Sequence, residues 1–209
     1  MAKQGTIGLI LIISYLSVLT AGMYAKKQGR SGYEETNFLR DICGGKEKVV
    51  RLRCYVHDLR VGNENPTVYT VATASITPNS PTSFGSINVV DDLVTAEPSI
   101  NSTEIGRIQG LTTSADLSVN GVALNLNIYF TAGRFNGSTI SILGRNQVMN
   151  PQRELPVAGG TGAFRFARGY AYQTTYSYDT VTSYAVMEFN IYTTYNSKFN
   201  VLDNFDIDI

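Results

Sequence analysis

From Leu52 onward the chain keeps a two-residue alternation of apolar and polar side chains, interrupted at short intervals by turn dipeptides. Leu52, Cys54, Val56 and Asp58 fall on one face, with Arg53, Tyr55, His57 and Leu59 on the other. Strand-like runs follow at 67–74, 84–90, 104–114, 123–130, 138–144, 164–174 and 184–195. Asn65-Pro66, Pro78-Asn79-Ser80-Pro81, Asn120-Gly121 and Asn136-Gly137 stand between them as turn signals. Beyond the N-terminal apolar run, no window of helical length keeps a 3.6-residue apolar period. The chain therefore reads as all-β. About eight strands joined by hairpin turns allow either a sandwich or an antiparallel barrel. A closed barrel has no exposed edges, and an eight-strand barrel has room for one small ligand. Alternation alone does not choose between the two.

Residues 1–25 follow a different logic. Lys3 precedes an apolar run at 7–20, and small residues follow at Ala21, Gly22 and Ala25. A basic flank, a short apolar stretch and a small-residue exit predict a cleaved secretory signal; a membrane helix needs about 20 apolar residues. An extracellular destination follows, with no membrane attachment once the signal is gone. Residues 26–50 are charged, Gly-rich and without period, and read as a flexible arm. The β domain is expected over 51–196, and 197–209 read as a disordered acidic tail. The 17 basic and 17 acidic residues balance, so nothing calls for nucleic acid or an anionic surface. Cys43 and Cys54 are the two cysteines. In an oxidising compartment they could pair, or Cys54 could serve as a small apolar residue facing inward; both readings stand.

Gly159-Gly160-Thr161-Gly162 lacks the Gly-Lys-Ser/Thr ending of a phosphate loop, and Arg165 stands where a dinucleotide fingerprint needs glycine. A tight turn between strands, with positive φ angles, explains it better. One His and two Cys do not make a zinc site without carboxylates, and no cofactor is expected. Asp91 and Asp92 point to opposite faces if extended, and read as a solvated loop. A Ser-His-Asp triad would have to use His57, which strand parity turns away from Asp58, and no G-x-S-x-G elbow accompanies it. Asp58 itself shares a face with Leu52, Cys54 and Val56. Burial raises a carboxyl's pKa and poises it for proton transfer, although an ion pair with an arginine would explain it structurally. Asn101-Ser102-Thr103 and Asn136-Gly137-Ser138 are glycosylation sequons. The absence of Trp argues against a sugar-stacking jelly roll.

Several stretches in order resemble the plant dirigent family: Tyr55-x-His57-Asp58, Phe84-Gly85, Ile105-Gly106-Arg107-Ile108-Gln109-Gly110, Phe135-Asn136-Gly137-Ser138-Thr139 and Leu143-Gly144-Arg145-Asn146. Arg153-Glu154-Leu155-Pro156-Val157, the glycine cluster through Gly169, and Glu188-Phe189-Asn190-Ile191-Tyr192 continue the match. The resemblance implies an eight-stranded antiparallel β-barrel of the allene-oxide-cyclase type, a homotrimer, and secretion to the plant cell wall space. It implies phenolic chemistry of two kinds. Some members couple two phenoxy radicals supplied by a laccase or peroxidase; others expel water from one phenolic substrate and close a ring through a quinone methide. A non-catalytic role in organising lignin or defence is the alternative.

The resemblance also implies roles. Asp58 matches a carboxylate that transfers protons, and Arg153 an arginine at the pocket floor, so the two are expected to face each other across an apolar hollow. Asn146 stands where lignan-forming members carry a second Asp. Thr112 and Ser114 stand where those members carry substrate-binding Tyr, and Val56 would touch substrate beside Asp58. Gly-Arg-Asn at 144–146 is similar to the branch that contains pterocarpan synthase.

Overall fold

The computed structural model describes residues 47–60 and 65–196. In chain order its strands are β1 (Glu47–Leu59), β2 (Val68–Ala72), β3 (Ile87–Thr95), β4 (Glu104–Ser114), β5 (Gly121–Phe130), β6 (Thr139–Gln147), β7 (Gln152–Thr161), β8 (Gly169–Asp179) and β9 (Tyr184–Asn196). Every pairing is antiparallel, as hairpin-joined strands require. The order β1-β9-β8-β7-β6-β5-β4-β3 returns on itself because Tyr55–His57 of β1 pairs with Thr95–Leu93 of β3. The result is an eight-stranded antiparallel closed β-barrel, not a sandwich. Strand β2 is a ninth, short strand that takes the remaining edge of β3, Val90 to Ile87. One free strand edge is thereby covered by two segments in line.

Four expectations need correction. The run at 84–90 is strand β3 displaced toward the C-terminus, so Asp91 and Asp92 lie within a strand rather than a solvated loop. The run at 164–174 is likewise displaced, to Gly169–Asp179. Strand β7 was not anticipated at all. Its alternation is clean, with Arg153, Leu155 and Val157 buried and Glu154, Pro156 and Ala158 exposed, but Pro156 and the glycines disguise it. Pairing with β6 stops at Ile142–Val157, so the missing N–H of Pro156 breaks no ladder there. Gly160 belongs to the strand because a Cβ there would stand 2.1 Å from the Thr139 carbonyl oxygen. Gly162, with φ +60°, is the residue of the cluster that turns the chain. Finally, β1 begins at Glu47, so the last four residues assigned to the arm are strand. The signal at 1–25, the rest of the arm with Cys43, and the tail at 197–209 lie outside the described residues.

The barrel is filled from one end. Short 3₁₀ turns at Gly133–Phe135 and Gly162–Phe164 fold Phe135 and Phe164 into the interior. Their ring centroids are 4.7 Å apart, and Phe130 and Tyr195 complete the cluster. Ile128, Ile140, Ile142, Leu155 and Ile191 form the next layer, all fully buried. Each contributes about 1.5–3 kcal/mol of burial. Cys54 lies in the core as a free thiol, and burial pushes its pKa up to about 12. The inward-facing reading of Cys54 is the one the structure supports.

Candidate functional site

The opposite end, where β1 and β6 finish and β5 and β9 begin, is not filled. A cavity of about 130 Å³ remains, with Ile108, Leu124, Leu126 and Phe189 among its walls. Val56, Asp58, Thr112, Ser114 and Asn146 all line it, so five of the residues singled out in the sequence converge on one space. Asp92, Asn88 and Gln173 line it as well.

The chemical centre is a carboxylate pair. The β1–β3 register runs Val56–Val94 and His57–Leu93, and its next step sets Asp58 against Asp92. Both side chains are inward by strand parity. Asp92 is 2% exposed and accepts a short hydrogen bond from the Thr67 hydroxyl. Burial and the neighbouring Asp58 charge push its carboxyl up to about 8. Asp58 is buried too, and desolvation raises its pKa against the opposing pull of Arg60. Arg60 Nη2 donates to Asp58 Oδ2 at 3.1 Å. This ion pair, at the cavity mouth, leaves Asp58 Oδ1 buried without a partner. Two carboxyls that cannot both ionise cheaply are able to divide proton transfer, one keeping its proton while the other accepts one.

A second polar group sits on β6, β8 and β9. Asn146 Nδ2 donates to Gln173 Oε1 at 2.9 Å, and Gln173 Nε2 donates to the sulphur of Met187. Asn146 Oδ1 is left buried without a partner. On β3 and β4, Asn88 Nδ2 donates to Thr112 Oγ1 at 3.2 Å, and Asn88 Oδ1 accepts from Thr70 Oγ1 at 2.8 Å.

Arg153 has hydrogen-bond partners other than Asp58. It is 6% exposed and paired across the ladder with Gln173, but it does not line the cavity. Its Nη1 donates to the Asn150 carbonyl and to Thr175 Oγ1, each at 3.0 Å. Desolvation lowers its pKa, and its Nε has no partner. Ladder pairing puts Arg153 on the same inward face as Gln173, with its guanidinium turned to Asn150 and Thr175.

His57 faces the outside of β1, as parity required, and is nonetheless fully buried. Thr95 Oγ1 donates to the Glu97 carbonyl, so it accepts from His57 Nε2 at 2.7 Å, and Tyr184 donates to Nδ1 at 2.7 Å. Burial lowers its pKa, and the ring is a neutral fastener of the barrel seam. It takes no part in a triad with Asp58. Asn101 and Asn136 are exposed in turns between strands.

Asp92, Asn88 and Gln173 were missed from sequence. For Asp92 a signal existed: Val90, Asp92 and Val94 share one parity, so a carboxylate interrupts an apolar face in Ile87–Thr95. Gln173 offered only a polar residue following Ala171 at the same parity.

The family model described as Dirigent-like protein matches residues 49–194. Dirigent protein 23 of Arabidopsis thaliana is 38% identical over 191 residues, covering 91% of this chain and 98% of its own. Pterocarpan synthase 1 of Glycyrrhiza echinata is 37% identical over 196 residues, covering 92% of this chain and 98% of its own. The solved pterocarpan synthase dirigent protein GePTS1 superposes with a TM-score of 0.67 at 38% identity, covering 73% of this chain and 93% of its own. With the barrel, the matched residues and these relatives in agreement, the chain belongs to the dirigent family.

Proposed function

We infer that this dirigent protein directs phenolic chemistry at the Asp58–Asp92 pair, by dehydrating one phenolic benzylic alcohol to a quinone methide and closing a ring on it. The carrying observation is a buried pair of carboxyls, one with an unpartnered oxygen, in a cavity walled by apolar side chains and a few amides and hydroxyls. Asp58, ionised beside Arg60, takes the phenolic proton. Asp92, which keeps its proton to about pH 8, gives it to the benzylic hydroxyl, and water leaves. An internal hydroxyl then adds to the methide carbon and returns its proton to Asp92, while the phenolate oxygen recovers the other from Asp58. Atoms balance as loss of one water, with no oxidant and no cofactor. General acid–base groups so placed contribute about 10²–10⁴-fold each.

Cavity size favours this reading over radical coupling. A volume of about 130 Å³ is close to that of an apolar cavity of about 150 Å³ that holds a single benzene. One ring can be seated, with the rest of the substrate at the mouth; a second phenoxy ring would need space outside the cavity. Asn146, Thr112, Ser114 and Val56 supply substrate contacts. Arg153, beside Gln173 on the inner face, lends positive potential to an oxyanion.

The protein is proposed to be secreted, glycosylated at Asn101 or Asn136, and self-associating. Tyr69, Val89 and Leu111 support the last point: they stand side by side across β2, β3 and β4, with Leu143 of β6 beyond Asn125 of β5, all exposed on the outer face.

Purified protein, given an isoflavanol without any oxidase and followed by chiral chromatography, should release one cyclised enantiomer in excess. Asp58→Asn should abolish this. Selectivity appearing only after laccase or peroxidase is added would favour coupling. No effect with either would leave a cell-wall role without turnover.

A further inference from the structure

The hydrogen-bond chain on β6, β8 and β9 has its direction fixed from one end. The sulphur of Met187 can only accept, so Gln173 must turn its Nε2 toward it. That sets Gln173 Oε1 toward Asn146, whose Nδ2 must then donate. Asn146 Oδ1 is the end of the sequence: an acceptor without a partner, in a residue 5% exposed that lines the cavity. Turning Asn146 alone would bring its oxygen against Gln173 Oε1. Turning both would bring Gln173 Oε1 against the sulphur. Either inversion places two acceptors in contact, so the polarity holds.

We propose that Gln173 and Met187 are positioning residues that lock Asn146 as an acceptor, so that the cavity selects a free hydroxyl and rejects its O-methyl ether. The proton transfers assigned to Asp58 and Asp92 do not use this chain; it determines which phenols are admitted. A phenol O–H satisfies Asn146 Oδ1. A methoxy oxygen has only lone pairs, excludes the water that would otherwise serve, and leaves a buried acceptor unmet. Replacing Met187 by Leu keeps volume and removes the acceptor. Both amides then become free to invert, and Asn146 can offer Nδ2–H to an ether.

The inference rests on the cavity being a phenol site, and the test separates the two. 4-Methylphenol and 4-methylanisole, one ring each, are titrated into the full chain by ligand-observed NMR. The phenol should bind the unaltered protein roughly tenfold tighter than the ether, the order expected when a buried polar group is left unpaired. In Met187→Leu that ratio should fall several-fold, chiefly through tighter binding of the ether. Gln173→Met, which removes the group that holds Asn146, should do the same and decides the matter if the first variant does not fold by circular dichroism. An unchanged ratio in a folded variant, or equal binding of both ligands by the unaltered protein, overturns the inference alone. Binding of neither ligand overturns the phenol-site reading and the inference with it.

Discussion

Replacing Asp92 by Asn should stabilise the barrel, and the gain should depend on pH in a stated direction. Asp92 keeps its proton in the folded chain to about pH 8, whereas the unfolded chain releases it near 3.8. Between those limits the folded state binds the extra proton, so raising pH favours unfolding. Each unit of pH in that window costs the natural protein about 1.4 kcal/mol for one fully titrating group. The substituted asparagine has no proton to lose, and its side-chain oxygen can still accept from Thr67. The advantage of the variant is therefore near zero at pH 4 and grows to a plateau at about pH 8. Carried over the whole window it would be of order 5 kcal/mol; water entering the open cavity reduces this to a few. His57 titrates with the opposite sign: its folded pKa is lowered, so it contributes stability as pH rises toward its ordinary value. It is present in both proteins and cancels in the difference. Urea unfolding of both chains at each pH from 4 to 8, followed by far-UV circular dichroism because the chain has no Trp, gives the comparison. A difference that is flat across this range, or that turns against the variant as pH rises, refutes the claim that Asp92 is buried beside Asp58 and protonated.

Three further outcomes are expected. Dehydration and ring closure should decline as pH rises through about 8, the value at which Asp92 gives up its proton; a rate that climbs through pH 8 would remove Asp92 as the acid. Gly160→Ala should cost more than about 2 kcal/mol in urea unfolding, since its Cβ would meet the Thr139 carbonyl at 2.1 Å and a clash with backbone forces β6 and β7 apart. Leu111→Lys places a charge in the middle of the exposed outer row and should shift the protein to monomer in size-exclusion light scattering, with its circular dichroism unchanged.

Much of the fold was legible because barrel strands write their two faces into the sequence. Leu124, Leu126, Ile128 and Phe130 alternate with exposed or half-exposed partners throughout β5, and the turn at Asn136-Gly137 marks where that hairpin returns. Closure itself was not legible from alternation. It depends on Tyr55–His57 meeting Thr95–Leu93, a pairing between strands remote in sequence, and the barrel was expected only through the family resemblance. Strand β7 was hidden for a local reason. Pro156 and Gly159 are residues that ordinarily end strands, yet here one sits where pairing with β6 has already stopped and the other where a shift in register needs φ +142°.

Asp58 was found because strand β1 announced its parity before reaching it, and because the surrounding residues left a carboxylate on an apolar face. Asp92 met the same criterion and was lost when strand β3 was ended too early, at Val90. Once the strand is carried to Thr95, Asp92 falls between Val90 and Val94 on the buried side, and Asp91 falls outside, where Arg107 and Gln109 hold it. Arg153 shows the converse limit. Its burial follows from parity with Leu155 and Val157, but burial does not say which partners a guanidinium takes. The donors of one such side chain can be spent on a carbonyl and a hydroxyl as readily as on a carboxylate, and only the position of β8 relative to β7 decides it. The groups proposed as acid and base are consequently two carboxyls on neighbouring strands at the barrel seam, and the arginine that the sequence pointed to is held by the Asn150 carbonyl and Thr175.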